Sequence, residues 1–398
     1  MNNTADLINE IDIENLYQHV AALEGVKHPL NTPQELARAA AYLSASLHKA
    51  GVKMRLQPFK VDGFEDAFYN VEGWVGDESK PEIVLIAHYD TVWNDPGAND
   101  NAAGLAVILE IARILALLPD PPHVRFVAVS LEEGNPALEI QKRESLRRLG
   151  LIDKQMRFTT HQTSQLLRHL EDFILAAMWS GQTYQEGLVR FTNYYDEQLS
   201  DEIHTHLLDL DAIYGHFNGQ SSIGVMNRIG SLIWLREALL SGRTVKYAVC
   251  PDEIGTISEE PGSQRYPANI QFTQIQTHRV KLEERIGNFV MAITEENSFA
   301  LGQQFSSACK QPEIDLPLVW LPLPVKGKET AQQFPQAMGS DHAAFWLAGI
   351  PTLSLTDTAY LRNPYSHTMA DTIDKINFKH VRKISQALLL MLLHDQNP

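Results

Sequence analysis

The stretch PEIVLIAHYD, residues 81–90, decides the fold class of this chain of 398 residues. Its apolar run from Ile83 to Ala87 shows no alternation between apolar and polar positions. Such a run is typical of a strand that is covered on both faces, as in the middle of a parallel sheet with helices on either side. His88 and Asp90 follow directly. We therefore expect them at the carboxyl end of a central strand, where open α/β sheets bind their ligands.

Strand and helix patterns alternate along most of the chain. Short apolar runs bounded by turn residues predict strands, and longer runs with helical spacing predict helices. The further strand patterns are VKMRLQPF (52–59), VRFVAVSLEE (124–133), TVKYAVCPDEIG (244–255), DLPLVWLPLP (315–324) and PTLSLTD (351–357). The helix patterns are 5–51, Leu105–Leu118, GSDHAAFWLAG (339–349) and KHVRKISQALLLMLL (379–393). This order predicts an α/β fold with a mostly parallel, doubly wound central sheet flanked by helices.

One long stretch, residues 135–229, departs from this alternation. It carries the helical patterns SLRRLGLIDKQM, SQLLRHLEDFILAAM and EQLSDEIHTHLLDLDAIYGH with little strand signal. We interpret it as an inserted helical subdomain, which we call the insert, within a main domain formed by residues 1–134 and 230–398. A lid, a dimerisation surface of a homo-oligomer, and an addition without a role are all consistent with this pattern.

The charge and the cysteine content limit the partners and the compartment. Lys and Arg number 33 against 49 Asp and Glu, which gives a formal charge of -16. This charge opposes contact with nucleic acid and with anionic membrane surfaces. The first thirty residues lack the pattern of a signal peptide, and no run of about 18 apolar residues occurs. The two cysteines cannot form a disulfide framework, so the sequence predicts a cytoplasmic protein.

Acid and imidazole groups follow several of the predicted strands. They are His88 with Asp90, Glu132 with Glu133, Asp252, and His367 in the loop after PTLSLTD. Asp100 lies twelve residues after His88 in PGANDNAAG, where glycine and small residues allow a tight turn. Each of these groups alone is a weak signal, since a Glu pair is commonly a solvated face and a loop histidine is commonly surface. Their joint placement at strand ends predicts a site.

The residue types fit a zinc site. Zinc binds imidazole nitrogen and carboxylate oxygen, and a pair of zinc ions roughly 3.5–4 Å apart is spanned by one carboxylate. The residues that supply this set are His88, Asp100, Glu133, Asp252 and His367. Glu132 and Glu133 are neighbours on an extended segment and point to opposite sides, so one can bind metal while the other takes a proton. Asp90 would accept the second imidazole N–H of His88, unless it only caps a turn.

Longer motifs carry a resemblance to a known family. In order they are AHYDTV, PGANDNAAG, LEEG, CPDEIG, EPGSQRYP and GSDHAAFWLAGIPTLSLTDTAYLRNPYSHTMADT. The match to the family pattern runs from about Asn70 to Asp371, outside the insert. The sequence resembles the zinc exopeptidase family of bacterial leucyl aminopeptidases and glutamate carboxypeptidase. The resemblance implies two Zn²⁺ per chain and hydrolysis of a peptide or small amide at a terminal bond.

The resemblance also implies roles for the ligands. It places His88 and Asp252 at opposite zinc sites, with Asp100 as the bridge. Glu133 would bind one zinc and His367 the other.

Further features follow from the same resemblance. The peptide bond between Asp100 and Asn101 would be cis. The Asp341–His342 pair would support the site structurally rather than bind metal. Tyr365 is a candidate oxyanion donor, with an ordinary loop tyrosine as the alternative.

The predicted reaction is aminopeptidase hydrolysis. Glu132 would take a proton from a zinc-activated water and return it to the leaving amine. A substrate amino group that binds the second zinc would restrict cleavage to the first peptide bond. The alternatives are acyl transfer of the glutaminyl cyclase type, hydrolysis of an N-blocked or non-peptide amide, and a non-catalytic binding module of the same fold.

Overall fold

The computed structural model describes residues 4–154, 156–179, 182–217, 224–266 and 275–395. The strands are β1 Lys53–Lys60, β2 Ala67–Val75, β3 Glu82–His88, β4 Val124–Val129, β5 Val245–Pro251, β6 Gln276–His278, β7 Val290–Thr294, β8 Leu318–Pro322 and β9 Thr352–Thr356. The helices are α1 Thr4–Asn9, α2 Ile13–Leu23, α3 Pro33–Lys49, α4 Gly104–Leu115, α5 Pro136–Arg148, α6 His161–Trp179, α7 Tyr184–Tyr195, α8 Asp201–Tyr214, α9 Ile229–Leu240, α10 Phe299–Cys309, α11 Lys328–Gln333, α12 His342–Leu347 and α13 Phe378–His394.

The strands form one mixed sheet in the order β1-β2-β4-β3-β5-β9-β7-β8-β6. Its centre, β4-β3-β5-β9, is parallel throughout. Antiparallel pairs occur toward both edges, where β2 joins β4 and β7 joins β9. The predicted α/β fold with a helix-flanked sheet is confirmed. Its parallel pairs are those of the centre and the pair of β7 with β8. Strands β2, β6 and β7 have no counterpart among the predicted strands.

The unbroken apolar run of β3 is explained by helices on both faces of the sheet. Ile83 and Leu85 belong to the larger core, which includes residues of α2, α3, α4, α10 and α13. Val84 and Ile86 face the opposite side and pack in a second core with residues of α9 and α12. Every residue of β3 is buried. Successive side chains thus enter different cores, and neither face of the strand requires polar residues.

Helix α4 is buried on nearly all sides, as its all-round apolar pattern predicts. It begins at Gly104, directly after the loop that carries Asp100. A Cβ atom at position 104 would lie 2.5 Å from the carbonyl oxygen of Pro251. The absence of a side chain therefore lets the start of α4 approach the end of β5. None of the helices in the described ranges is long and apolar enough to cross a membrane.

The stretch predicted as the insert contains helices α5 to α8. Their apolar side chains pack with one another in a core separate from those of the sheet, around Leu146, Leu170 and Phe191. Where the insert meets the main domain, the guanidinium of Arg143 lies over the indole ring of Trp93. The bounds 135 and 229 and a role as lid or dimerisation surface stay predictions.

The two ends of this stretch lie side by side. The backbone N–H of Arg228 donates to the carbonyl oxygen of Glu132 at 2.8 Å, and the N–H of Ile229 donates to Leu131 at 2.9 Å. Next to them, the buried Asn70 side chain donates to the Gly230 carbonyl at 2.9 Å and accepts from the Ser130 N–H at 3.2 Å. The segment after β4 is thereby tied to the start of α9.

This close approach makes Gly230 a test of the packing. A Cβ atom there would overlap the carbonyl oxygen of Ser130 and lie 2.8 Å from Oδ1 of Asn70. We expect Gly230→Ala to lower the free energy of unfolding by about 1–3 kcal/mol, as overpacking of a tight contact does. Denaturant titration followed by circular dichroism measures this change. Gly134→Ala is the control, because a Cβ atom at Gly134 meets nothing within 4 Å; equal losses in both variants would contradict the argument.

Candidate metal centre

The predicted metal ligands converge at the carboxyl ends of the central strands. His88 ends β3, Asp252 follows β5 directly, and Glu133 lies four residues beyond the end of β4. His367 comes from the loop after β9, and Asp100 comes from the loop that leads into α4. Three of them, His88, Asp100 and Glu133, offer ligand atoms that all lie within 4.8 Å of one another.

Asp100 lies between the two histidines. Its Oδ1 atom is 3.1 Å from Nε2 of His88, and its Oδ2 atom is 3.1 Å from Nε2 of His367. The carboxylate therefore presents one oxygen to each imidazole. The peptide bond between Asp100 and Asn101 is cis, as the resemblance implies.

The remaining two carboxylates divide between the histidines. Asp252 Oδ1 lies 3.4 Å from Nε2 of His88, and Glu133 Oε2 lies 3.6 Å from Nε2 of His367. The expected allocation, with His88 and Asp252 at opposite sites and Glu133 separated from His367, is wrong. Apart from Asp100, the carboxylate nearest Nε2 of His88 is that of Asp252, and the one nearest Nε2 of His367 is that of Glu133. The structure therefore pairs His88 with Asp252 and His367 with Glu133.

This donor set fits zinc on each side of Asp100. Ligand atoms bound tetrahedrally at 2.0–2.2 Å lie roughly 3.3 Å apart, and the four N···O distances between the histidines and carboxylates are 3.1–3.6 Å. Oδ1 of Asp252 is buried, yet it accepts no hydrogen bond within the described part of the chain. A buried carboxylate oxygen without a donor is expected where a cation binds.

Asp90 orients the site through different atoms than expected. The acceptor nearest Nδ1 of His88 is the backbone carbonyl oxygen of Asp90 at 3.1 Å, while its carboxylate is 3.9 Å away. The carboxylate instead accepts the backbone N–H groups of Glu132 at 3.2 Å and Glu133 at 3.1 Å. The prediction that the Asp90 carboxylate fixes the His88 tautomer is therefore wrong. Asp90 holds the two glutamates in place.

Two residues that sequence reasoning missed support the Asp100 loop. The carboxylate of Asp371 accepts the backbone N–H groups of Asn99 and Asp100, each at 3.0 Å. The fully buried Lys27 ammonium donates to the carbonyl oxygens of Gly25 at 2.8 Å and Pro96 at 3.1 Å. Asp371 lies in the motif SHTMADT with His367, so the motif could have indicated that it belongs to the site. Lys27 lies in a segment whose sequence gave none.

The electrostatics of the site are those of acids and imidazoles in contact. Burial opposes the charge of His88, but the carboxylates of Asp252 and Asp100 outweigh it and raise the pKa of this imidazole. Burial also opposes ionisation of Asp100, but hydrogen bonds from His367 and His88 hold the pKa of that carboxyl well below its usual range. Burial and the neighbouring Asp100 raise the pKa of Glu133. Among the five predicted ligands, three carboxyl groups thus face two imidazoles.

Glu132 turns away from the ligands. Its Oε1 atom lies 3.2 Å from Nε of Arg228, and its side chain is 7% exposed. Burial raises the pKa of Glu132 to about 8, although the Arg228 guanidinium opposes this. The two neighbouring glutamates therefore have different contacts, Glu132 with Arg228 and Glu133 with His367, as expected for residues on an extended segment.

A largely apolar cavity of about 430 Å³ opens beside Asp252. Its walls come from β7, β8 and the loops after them and after β9. Apolar side chains that line it include those of Met291, Ile293, Leu321, Leu323, Phe334 and Leu361. The acidic side chains in its lining are Asp252 and Glu253, and no lysine or arginine lines it in the described part of the chain. The cavity therefore suits an apolar group next to the acidic cluster.

The other predicted residues lie close by with different contacts. Asp341 is fully buried, and Nε2 of His342 bonds the carbonyl oxygen of Ala337 at 2.6 Å. The Tyr365 ring faces the ammonium of Lys375 at 5.1 Å. A role for Tyr365 as an oxyanion donor stays a prediction.

Comparison with known proteins gives a family. The model of peptidase family M28 matches residues 70–151 and 289–392. The first segment contains His88, Asp100 and Glu133, and the second contains His367. This match confirms the resemblance to a family of zinc exopeptidases that the motifs predicted. Asp252 lies between the matched segments, so its place in the site rests on the geometry.

The individual proteins that this chain resembles are distant in sequence. The uncharacterized protein YfbL of Escherichia coli is 21% identical over 393 residues, which cover 96% of this chain and 88% of that protein. The structure of the LapA aminopeptidase of Legionella pneumophila superposes with a TM-score of 0.56 at 14% identity, covering 99% of this chain and 75% of that one. The glutaminyl cyclase of Porphyromonas gingivalis gives a TM-score of 0.55 at 14% identity, covering 96% and 98%. These two structural likenesses show the fold.

The buried acids give the metal-free protein a distinctive pH dependence. Burial raises the pKa of Asp371 to about 6, of Asp341 and Asp357 to about 7, and of Asp95 to about 8. A carboxyl whose pKa is higher in the folded chain binds its proton more tightly there, and this stabilisation is lost as the pH rises through the folded pKa. We expect the melting temperature of the chelator-treated protein to fall between about pH 6 and 8. Saturating zinc should remove most of the fall, whereas a rise over this range without zinc would contradict the expectation.

Asp100 should be indispensable for metal binding. Because its two oxygens face both imidazoles, we expect Asp100→Asn to weaken zinc binding by more than about 100-fold, beyond the loss typical of residues that only orient ligands. Competition titration against a chromophoric chelator measures this affinity. Asp95→Asn, a change of the same kind in the same loop, is the control, because Asp95 accepts the Gly97 N–H and contacts neither histidine. Equal affinity in the two variants would show that Asp100 is not a ligand.

Proposed function

We propose that this protein is a zinc-dependent aminopeptidase that removes an apolar amino acid from a free amino terminus. The observation that carries the proposal is the arrangement of Asp100 between His88 and His367, with the carboxyl of Glu132 next to the cluster but outside it. Five ligands in two groups around a shared carboxylate support two zinc ions. His88, Asp252 and Asp100 would hold one ion, and His367, Glu133 and Asp100 the other.

Bound there, zinc would supply Lewis acidity, which polarises a substrate carbonyl and lowers the pKa of a water molecule. The protein itself supplies the proton transfer. Glu132 accepts a proton from the attacking water at its carboxylate and then donates it to the nitrogen of the leaving amine. Hydrogen bonds from the Glu132 and Glu133 N–H groups to Asp90 hold this segment in place.

The cavity supports an apolar side chain on the first residue of the substrate. It adjoins Asp252 and is lined mainly by apolar groups, so an aliphatic or aromatic side chain would be removed from water there. A charged side chain would lose its hydration without a partner of opposite sign, apart from the acids at the metal end.

The acids at the metal end support a free amino group rather than a blocked one. Glu253 lines the cavity next to Asp252, and its Oε1 atom is buried without a hydrogen-bond partner in the described ranges. A substrate ammonium group would supply that missing donor. An acetylated nitrogen would leave the carboxyl without a charged partner.

Acyl transfer of the glutaminyl cyclase type is the alternative, because a glutaminyl cyclase shares the fold across nearly the whole chain. The full ligand set on both sides of Asp100 favours hydrolysis. A peptide with amino-terminal glutamine distinguishes the reactions, because cyclisation releases ammonia and hydrolysis releases free glutamine.

Glu132 tests the proposed mechanism. We expect Glu132→Gln to reduce kcat on leucine and phenylalanine amides by roughly 100- to 10,000-fold, the usual contribution of general acid–base catalysis, while zinc content stays near that of the native protein. Steady-state kinetics and metal analysis of the same samples measure both quantities. Glu260→Gln, on an exposed turn, is the control. Turnover at the native rate in Glu132→Gln would rule out its role as general base.

A further inference from the structure

Arg228 stands next to the proposed general base, at the point where the insert joins α9. Its side chain is 13% exposed, and its Nε atom lies 3.2 Å from Oε1 of Glu132. The backbone is held in the left-handed conformation, with φ of 55°, which is uncommon for a residue other than glycine. Its N–H group donates to the Glu132 carbonyl oxygen, and its own carbonyl oxygen accepts from the Ser231 hydroxyl at 3.1 Å. These hydrogen bonds hold the backbone of Arg228 in place, and its guanidinium lies beside Glu132.

The Arg228 guanidinium is largely buried but has few hydrogen-bond partners. It carries five N–H donors, yet none of them makes a hydrogen bond to the described residues, and Nε is buried without one. Glu132 is the only carboxylate within 4 Å of it in the described ranges. Buried polar groups are nearly always hydrogen-bonded in native proteins, so a group like this indicates a partner that is absent from the protein chain.

Other buried cations near the site are already engaged. The Lys27 ammonium donates to two backbone carbonyl oxygens beneath the Asp100 loop. The Arg362 guanidinium bonds the carbonyl oxygen of Phe289 at 2.7 Å and Oε1 of Gln264 at 2.9 Å. Neither has the position of Arg228 next to Glu132. Among these three cations, Arg228 is the one placed to meet a substrate anion.

The position of Arg228 identifies which part of a substrate it meets. If Glu132 protonates the leaving nitrogen, as the proposed function states, groups attached to that nitrogen lie on the Glu132 side. In an amino acid, the carboxyl carbon is about 2.5 Å from the nitrogen, given standard bond lengths. The α-carboxylate of a departing amino acid therefore lies within reach of a guanidinium in contact with Glu132. Arginine binds carboxylates in a two-point geometry that suits this role.

We propose that Arg228 binds the α-carboxylate of the amino acid released on the leaving side, and that the substrates are dipeptides with a free carboxyl terminus. The first residue of the dipeptide would place its apolar side chain in the cavity beside Asp252. The second would present its carboxylate to Arg228. A longer peptide would place an uncharged amide in front of the guanidinium, which forms weaker hydrogen bonds with it than a carboxylate does.

The arrangement of the insert agrees with a short substrate. Its two ends meet next to Arg228, where Asn135 Nδ2 donates to the Val225 carbonyl oxygen at 2.8 Å. Backbone of the insert therefore lies beside Arg228 and Glu132. An extended peptide would have to pass this backbone.

The test compares one dipeptide with its carboxamide. Zinc-loaded native protein is assayed with leucyl-alanine and leucyl-alaninamide, which differ only in the carboxyl group. We expect kcat/KM to be at least tenfold higher for the dipeptide. In Arg228→Gln this ratio should fall to about one, whatever the absolute rates are, and Arg228→Lys should keep part of it because the charge remains. Arg236→Gln is the control. Arg236 is exposed on helix α9, which begins directly after Arg228, and this variant should keep the native ratio.

The outcomes separate this inference from the function on which it rests. If native protein cleaves both compounds at equal rates, the dipeptide inference fails and the aminopeptidase proposal stands. If Arg228→Gln loses activity on both compounds equally and keeps the ratio, Arg228 acts through Glu132 and the inference fails as well. If zinc-loaded native protein cleaves neither compound nor leucine amide, the proposed function fails and the inference falls with it. Circular dichroism melts of each variant identify a loss of folding, and Arg228→Lys then carries the test.

Discussion

A single carboxylate, that of Asp100, has to reach two imidazoles at once, and much of the architecture serves that requirement. His88 is fixed by the central strand and His367 by a loop from another strand end. Asp100 contacts both imidazoles because its loop is held in place. The Asp371 carboxylate accepts the Asp100 N–H, and the Lys27 ammonium donates to the carbonyl oxygen of Pro96 in the same loop. The two imidazoles come from distant parts of the sequence, so the spacing of the site depends on the order of the parallel strands.

The site that contains Asp100 also brings several acidic side chains close together, where their negative charges repel one another. Asp95, Asp341 and Asp357 lie buried around the ligands, and burial raises the pKa of each. Bringing such groups together without a cation costs free energy, since a buried charge is stable only when it is paired. The energy of the fold and the affinity for metal are therefore linked, because a bound cation relieves repulsion that folding creates.

The sequence could predict the parts of this protein whose residues carry a local pattern. The apolar run of β3 and the motifs around His88, Asp100 and Glu133 indicated the fold class and the cluster. Strand β2 was missed because it carries the buried polar residues Asn70 and Glu72; Glu72 is paired with arginines from distant segments. The contacts of Lys27 and Arg228 depend on residues far away in sequence, or on a backbone turn that no motif signals. The allocation of ligands between the two sides also required distances in space.

The adjacency of the two ends of the insert bears on how such a chain can change over generations. Residues 132 and 228 are one hydrogen bond apart, so the main domain is interrupted at a point where a short turn could equally close the chain. Helices can be gained, lost or exchanged there without moving any strand of the sheet. Because Arg228 stands on that junction, each exchange would also alter what surrounds the carboxyl of Glu132. Chains that differ in this stretch could thus keep His88, Asp100 and Glu133 in place while the space beside Glu132 differs.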